Sequence, residues 1–157
     1  MIKALFLTLF TINIFAQTIH FEESKYIDAL DTSTKKTGYI NFKEDSIETS
    51  YENSDEVLLF QEDTLFIKKK DETVEIDLNR DMPKKIYYTL LEAIYLDDIS
   101  NLEVYFEIEQ KDDEVFLTPK SIVANYVKSI NYKKTTKLEY LHINMLNNDR
   151  ISIEQID

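Results

Sequence analysis

The strongest constraint on this chain is the repeated alternation of apolar and polar residues with period two. From Leu102 to Glu109, Leu102, Val104, Phe106 and Ile108 alternate with Glu103, Tyr105, Glu107 and Glu109. Successive side chains of a strand point to opposite faces, so one face of such a segment is buried and the other is wet. Val74, Ile76 and Leu78 alternate with Glu75, Asp77 and Asn79 in the same way. Less pure versions run through 38–43, 47–52, 56–60, 64–69, 115–118, 122–132, 137–146 and 151–156, with a longer strand expected over 21–30.

The links between these runs are short and polar: Lys70-Asp71-Glu72, Lys111-Asp112-Asp113, Lys133 to Thr136, and Asn147-Asn148-Asp149. Links of hairpin length join antiparallel neighbours, because parallel strands need crossovers of about a dozen residues or more. The expected sheet is therefore an antiparallel meander of about ten or eleven strands. Open sheets rarely carry that many without curling, which predicts a mainly β fold with a strongly curved antiparallel sheet forming an unclosed half barrel.

One segment departs from period two. From Pro83 to Ile94 the apolar positions are Pro83, Ile86, Tyr87, Leu90, Leu91 and Ile94, a helical spacing. Asp81 is placed to cap it, and Pro83 fits a first turn. A single amphipathic helix in the middle of a curled sheet has the concave face to cover, like a lid.

The first sixteen residues read as a secretory signal peptide: a basic start at Lys3, an apolar stretch from Ala4 to Phe15, and small Ala16 before Gln17. That stretch is short of the roughly 20 residues that span a bilayer. The expected mature protein is thus residues 17–157, a single soluble domain acting outside the cytoplasm. Removing sixteen of 157 residues leaves enough for one core and too few for two comfortable ones.

The chain has no cysteine, which excludes a disulfide, a thiolate metal site and a thiol nucleophile. It also removes the residue that acylation of an exported protein requires, since Gln17 follows the expected cleavage point. The formal net charge of −12 repels phosphate backbones, so no nucleic-acid partner is expected.

Catalytic signatures are equally sparse. His20 and His142 lack triad or zinc spacing, and with Gly38 as the single glycine there is no phosphate-cradling loop. The clusters Asp97-Asp98 and Asp112-Asp113-Glu114 read as solvated turn and helix-end residues, without the ordered oxygens of a calcium loop. No metal, no cofactor and no enzymatic activity are expected. A glycosidase would need two facing carboxylates, and no pair stands out among the 30 acidic residues. Alternation alone leaves open whether the concave face is a filled core or a pocket for an apolar ligand.

A family resemblance bears on that choice. Phe21-x-x-x-Lys25-Tyr26, Gly38-x-Ile40-x-Phe42, Ile47-x-x-x-Tyr51, Val57-Leu58-Leu59 and Asp63-x-Leu65-Phe66 occur in order. They are followed by Leu90-Leu91, Tyr105-Phe106, Phe116-Leu117-Thr118-Pro119-Lys120 and Asn148-Asp149-Arg150-Ile151-x-Ile153. Together these resemble the periplasmic lipoprotein carrier family, the LolA-like proteins. The chain departs from the family where Glu48, Thr49 and Ser54 stand in place of an Arg-Trp pair and a following proline, so the family's latching arginine has no counterpart there.

The resemblance implies an unclosed antiparallel barrel plugged by helices. It further implies a monomeric periplasmic chaperone that takes acylated lipoproteins from an inner-membrane ABC transporter to an outer-membrane acceptor. The lipid-binding face expected from it comprises Ile40, Phe42, Ile47, Tyr51, Leu58, Leu65, Ile76, Val104 and Phe106, beneath the helix residues Leu90, Leu91 and Ile94. The alternatives are a carrier of another lipid and a non-catalytic cell-envelope interaction domain with a filled core.

Overall fold

A computed structural model describes residues 17–157; the expected signal segment, residues 1–16, lies outside the described residues. Eleven strands form one antiparallel sheet: β1 (Gln17–Ile27), β2 (Thr32–Phe42), β3 (Ser46–Tyr51), β4 (Glu56–Gln61), β5 (Thr64–Lys69), β6 (Glu72–Asp77), β7 (Phe106–Lys111), β8 (Glu114–Pro119), β9 (Val127–Lys134), β10 (Leu138–Met145) and β11 (Arg150–Gln155). The helix α1 (Met82–Tyr95) lies between β6 and β7 in the chain.

The strand order is β6-β5-β4-β3-β2-β1-β11-β10-β9-β8-β7. This is two meanders rather than the single one expected, joined in the middle where β1 pairs antiparallel with β11, Glu23 opposite Ile153. Hairpin links fix the neighbours within each half, but the β1–β11 pairing joins the two ends of the chain and has no local signal. The sheet does not close: β6 and β7 are its free edges, and the connection carrying α1 runs between them.

The contacts of α1 require the sheet to curl. Phe60 of β4 stacks on Tyr88, with ring centroids 4.8 Å apart, while Lys134 of β9 donates a hydrogen bond to the Ile94 carbonyl at 2.7 Å. In a flat sheet β4 and β9, six spacings apart, would be about 29 Å from one another. Tyr88 and Ile94 are separated by only about 9 Å along a helix axis, so the inner face wraps around α1.

The helix begins where the sequence indicates. The Asp81 carboxylate accepts a hydrogen bond from the Lys84 amide at 3.2 Å, and Pro83 occupies the first turn. Gly38, on the inner face of β2, faces Tyr51 of β3. A Cβ there would lie 2.1 Å from the Ser50 carbonyl oxygen, so no side chain fits where β2 and β3 pack.

Several strand boundaries differ from expectation. Residues Ser100–Val104 form a 3-10 helix, and β7 starts only at Phe106. Leu102, Tyr105 and Phe106 also fit the helical intervals of three and four residues, and the period-two pattern concealed that alternative. Val104 is consequently 69% exposed and does not belong to the inner face. Likewise Ser121–Asn125 is a 3-10 helix before β9, with Val123 buried, and Asp28–Leu30 ends the first strand early. β2 begins at Thr32, six residues before the expected start; its first half is polar and largely exposed, so no alternation marks it.

Candidate functional site

The inner face and α1 make one apolar interface. Ile40, Phe42, Ile47, Leu65, Phe106, Leu90, Leu91 and Ile94 are buried, and Tyr51, Leu58 and Ile76 are partly buried against them. Eleven of the twelve residues expected on the lipid-binding face therefore meet in one cluster, Val104 being the exception. Phe21, Leu141 and Ile153 of the central strands complete the wall. The inner face is filled by α1: Leu90 and Leu91 are fully buried, so an acyl chain can occupy this surface only where the helix withdraws.

Two lysines hold the helix. At its C-terminal end, Lys134 donates to the Ile94 carbonyl and pairs with Asp97, both at 2.7 Å, with its ammonium 5.6 Å from the Tyr95 ring centroid. A cation placed there satisfies a terminal carbonyl and complements the helix dipole. Near the N-terminal end, Lys85 pairs with Asp63 of the β4–β5 turn at 3.1 Å and donates to the Asn79 side chain at 2.8 Å. The sequence does not mark either lysine, because charge and spacing do not distinguish them among 18 basic residues.

The interface is not fully satisfied. Among the described residues, the hydroxyls of Tyr87 and Tyr95 on the helix and Thr49 on β3 are buried with no hydrogen-bond partner. A buried group left unpaired forfeits about 1–3 kcal/mol. Burial raises the Tyr87, Tyr88 and Tyr95 phenols well above their ordinary value, and for Tyr87 and Tyr88 the nearby Glu23 carboxylate raises them further.

Glu23 introduces charge into this apolar setting. It follows Ile19 and Phe21 on the inward side of β1, and the Tyr51 hydroxyl donates to it at 3.2 Å. Burial first, then the Glu23 charge and that hydrogen bond, push the Tyr51 phenol up. Two clefts open at the rims of the interface. One, of about 500 Å³, lies by the helix C-terminus between Phe42, Ile47, Phe60, Glu92 and Leu96. The other, of about 440 Å³, is lined by Lys35, Lys36, Thr37, Tyr51, Asn53 and Glu56 among others.

The two histidines sit on the sheet with ordinary partners. His20 lies between Glu52 at 2.9 Å and Asp157 at 3.3 Å and stacks on Tyr39; His142 stacks on Tyr140. Among the described residues no three metal-ligating side chains are arranged to hold a metal ion, and no helix is long and apolar enough to cross a membrane.

No family model matches the chain, and no curated protein matches it. Solved structures similar to it include a LolA superfamily protein from Nitrosomonas europaea, at 7% identity and a TM-score of 0.46, covering 89% of this chain and 83% of that one. Another is the Mycobacterium tuberculosis lipoprotein LppX, at 10% identity and a TM-score of 0.43, covering 89% and 85%.

Proposed function

We propose that this protein is a carrier for the acyl chains of a lipid or lipoprotein, which bind the inner face of the sheet when α1 swings out. The observation that carries this reading is the character of the α1 interface. It hides a continuous apolar wall from water, yet it contains three orphaned hydroxyls and is fastened at its two ends by lysines. An interface evolved only to fill a core would lack those hydroxyls, since replacing them by apolar groups of the same shape removes the penalty.

Energetics favour a lid over an open groove. Each methylene left in water costs about 0.8 kcal/mol, so one long acyl chain represents on the order of 10 kcal/mol. The apolar wall offsets that cost when loaded, and α1 covers the same wall when empty. The helix thus stands in for cargo.

The finer reading follows the sequence resemblance to LolA-like carriers: a periplasmic chaperone receiving acylated lipoproteins from an inner-membrane ABC transporter and passing them to the outer membrane. In this reading Lys134 and Lys85 take the latching role for which Glu48 and Thr49 leave no arginine. The test is to purify the full chain from its native host, extract it and identify bound acylated molecules by mass spectrometry, alongside titration with the fluorescent fatty acid cis-parinaric acid. Co-purifying acyl chains and saturable probe binding are expected. A lipid-free protein that also fails to bind the probe would overturn the carrier and favour an interaction domain with a filled core.

A further inference from the structure

Large apolar side chains left in water gather at one rim of the sheet. Leu30 in the β1–β2 link, Val104 just before β7, Ile122 and Tyr126 in the β8–β9 link and Leu146 in the β10–β11 turn are each between 41% and 69% exposed. The strand registers put these links at the same end of the sheet, and hydrogen bonds join them in series. The Asp28 amide donates to the Asp149 carboxylate at 2.9 Å, the Leu146 amide to the Tyr126 carbonyl at 3.0 Å, and the Lys120 amide to the Tyr105 carbonyl at 3.0 Å. The other exposed large apolar side chains, Tyr39, Val74, Leu96 and Ile156, lie elsewhere, on β2, on β6, after α1 and after β11.

Charge is divided along the same axis. The links at the opposite end carry the acidic pairs Glu44-Asp45, Glu62-Asp63, Asp97-Asp98 and Asp112-Asp113. The fastenings of α1 lie there too, Lys134 on Asp97 and Lys85 on Asp63. On the apolar rim, Asp28, Asp31, Glu103 and Asp149 are balanced by Lys25, Lys120, Lys128 and Arg150. A chain of net charge −12 therefore has one end that a negatively charged surface repels least, and its own field turns that end toward such a surface.

We infer that this rim docks the protein on a lipid bilayer, its apolar side chains entering the headgroup region and Lys120, Lys128 and Arg150 lying against lipid phosphates. The shape of the rim favours a bilayer over a protein partner. Its apolar residues are single tips on separate links, divided by Asp, Asn and Lys. Such tips enter a fluid interface one by one, whereas a stable protein interface needs a contiguous, close-packed apolar centre. Tyr126 has the amphipathic ring that is enriched at membrane surfaces, and lysine stems lie along apolar surface while their ammonium groups stay at phosphate level. This surface is separate from the inner face, so the inference holds whether or not acyl chains bind there. Together with the carrier reading it sets an orientation, in which the end of the inner face without the lysine fastenings meets the bilayer.

The test is flotation of the protein, matured in its native host, with vesicles of phosphatidylethanolamine and phosphatidylglycerol. The triple variant Leu30→Ser, Ile122→Ser and Leu146→Ser should weaken vesicle binding by about tenfold with an unchanged Tm, because all three side chains are exposed. The control Val74→Ser with Leu96→Ser, which removes exposed apolar surface elsewhere, should bind as the wild type does. The chain has no tryptophan, so Leu146→Trp supplies a single probe. Its emission should shift to the blue on adding vesicles and be quenched by brominated lipid, whereas Leu96→Trp should show neither effect. Absence of vesicle binding, equal loss in the triple variant and the control, or equal quenching at the two tryptophan positions overturns the rim as a membrane dock. Dimerisation without flotation, abolished in the triple variant, assigns the rim to a second copy of the chain and overturns it likewise.

Discussion

Removing the three orphaned hydroxyls should stabilise the protein and slow its loading. In the triple variant Thr49→Val, Tyr87→Phe and Tyr95→Phe, each change deletes a buried donor that has no partner among the described residues. Each deletion is worth about 1–3 kcal/mol. Tyr87 and Tyr95 share one helix, so the effects will not add fully, and about 3 kcal/mol for the triple is the reasoned value. For a domain of this length that corresponds to a rise in Tm of about 9 °C. If α1 must leave the inner face before an acyl chain binds, the share from Tyr87 and Tyr95, about 2 kcal/mol, disfavours the loaded state and weakens apparent affinity for cis-parinaric acid by about 30-fold. Urea denaturation followed by circular dichroism gives the first quantity and probe titration the second. A triple variant no more stable than the wild type would refute the claim that these hydroxyls are unsatisfied. One that is stabilised yet binds as well as before would refute helix withdrawal as the route to the site.

Other perturbations probe separate parts of the structure. Lys134→Met removes the donor to the Ile94 carbonyl and the Asp97 pair; it should cost about 2 kcal/mol, speed hydrogen exchange over residues 90–97, and increase probe uptake. Gly38→Ala places a Cβ 2.1 Å from the Ser50 carbonyl, and overpacking of that severity should cost about 3 kcal/mol in a denaturant titration. On the alkaline side, the phenols of Tyr51, Tyr87, Tyr88 and Tyr95 are raised in the folded state, so the folded protein holds protons that the unfolded chain releases near pH 10. Their contribution is fully present below that pH and is lost as pH rises toward the folded values. Absorbance at 295 nm should accordingly show these four ionising together with unfolding, whereas independent ionisation near pH 10 would contradict their burial.

Much of this architecture is legible in residue order, and what is not has identifiable causes. The helix could be placed because Asp81, Pro83 and the 86, 87, 90, 91, 94 spacing agree with one another. Strands with one wet face could be placed for the same reason, as in Ile40 and Phe42 of β2. The polar half of β2, from Thr32 to Thr37, carried no alternation because neither of its faces is covered. Val104 fits the strand period with Leu102 and Phe106, but Leu102, Tyr105 and Phe106 equally fit helical intervals, and the 3-10 turn leaves Val104 outside.

The polar parts of the site were hidden for a deeper reason. Glu23 looks like any acidic residue until the β1–β2 and β1–β11 registers turn it inward beside Tyr51. Lys134 becomes a latch only because the sheet curls far enough to bring β9 to the end of α1. An orphaned hydroxyl such as that of Tyr87 is a property of what surrounds it, and no spacing encodes it.

The central claim is that α1 must leave the inner face for an acyl chain to bind, and a removable tether tests it. Because the chain has no cysteine, a pair introduced by Phe42→Cys and Tyr95→Cys, at positions whose rings are 4.4 Å apart, is the only thiol pair in the protein. It can be bridged by a short cleavable bis-thiol crosslinker. The bridged protein should bind no cis-parinaric acid, and cleavage of the bridge should restore saturable binding. Equal binding before and after cleavage would contradict the lid.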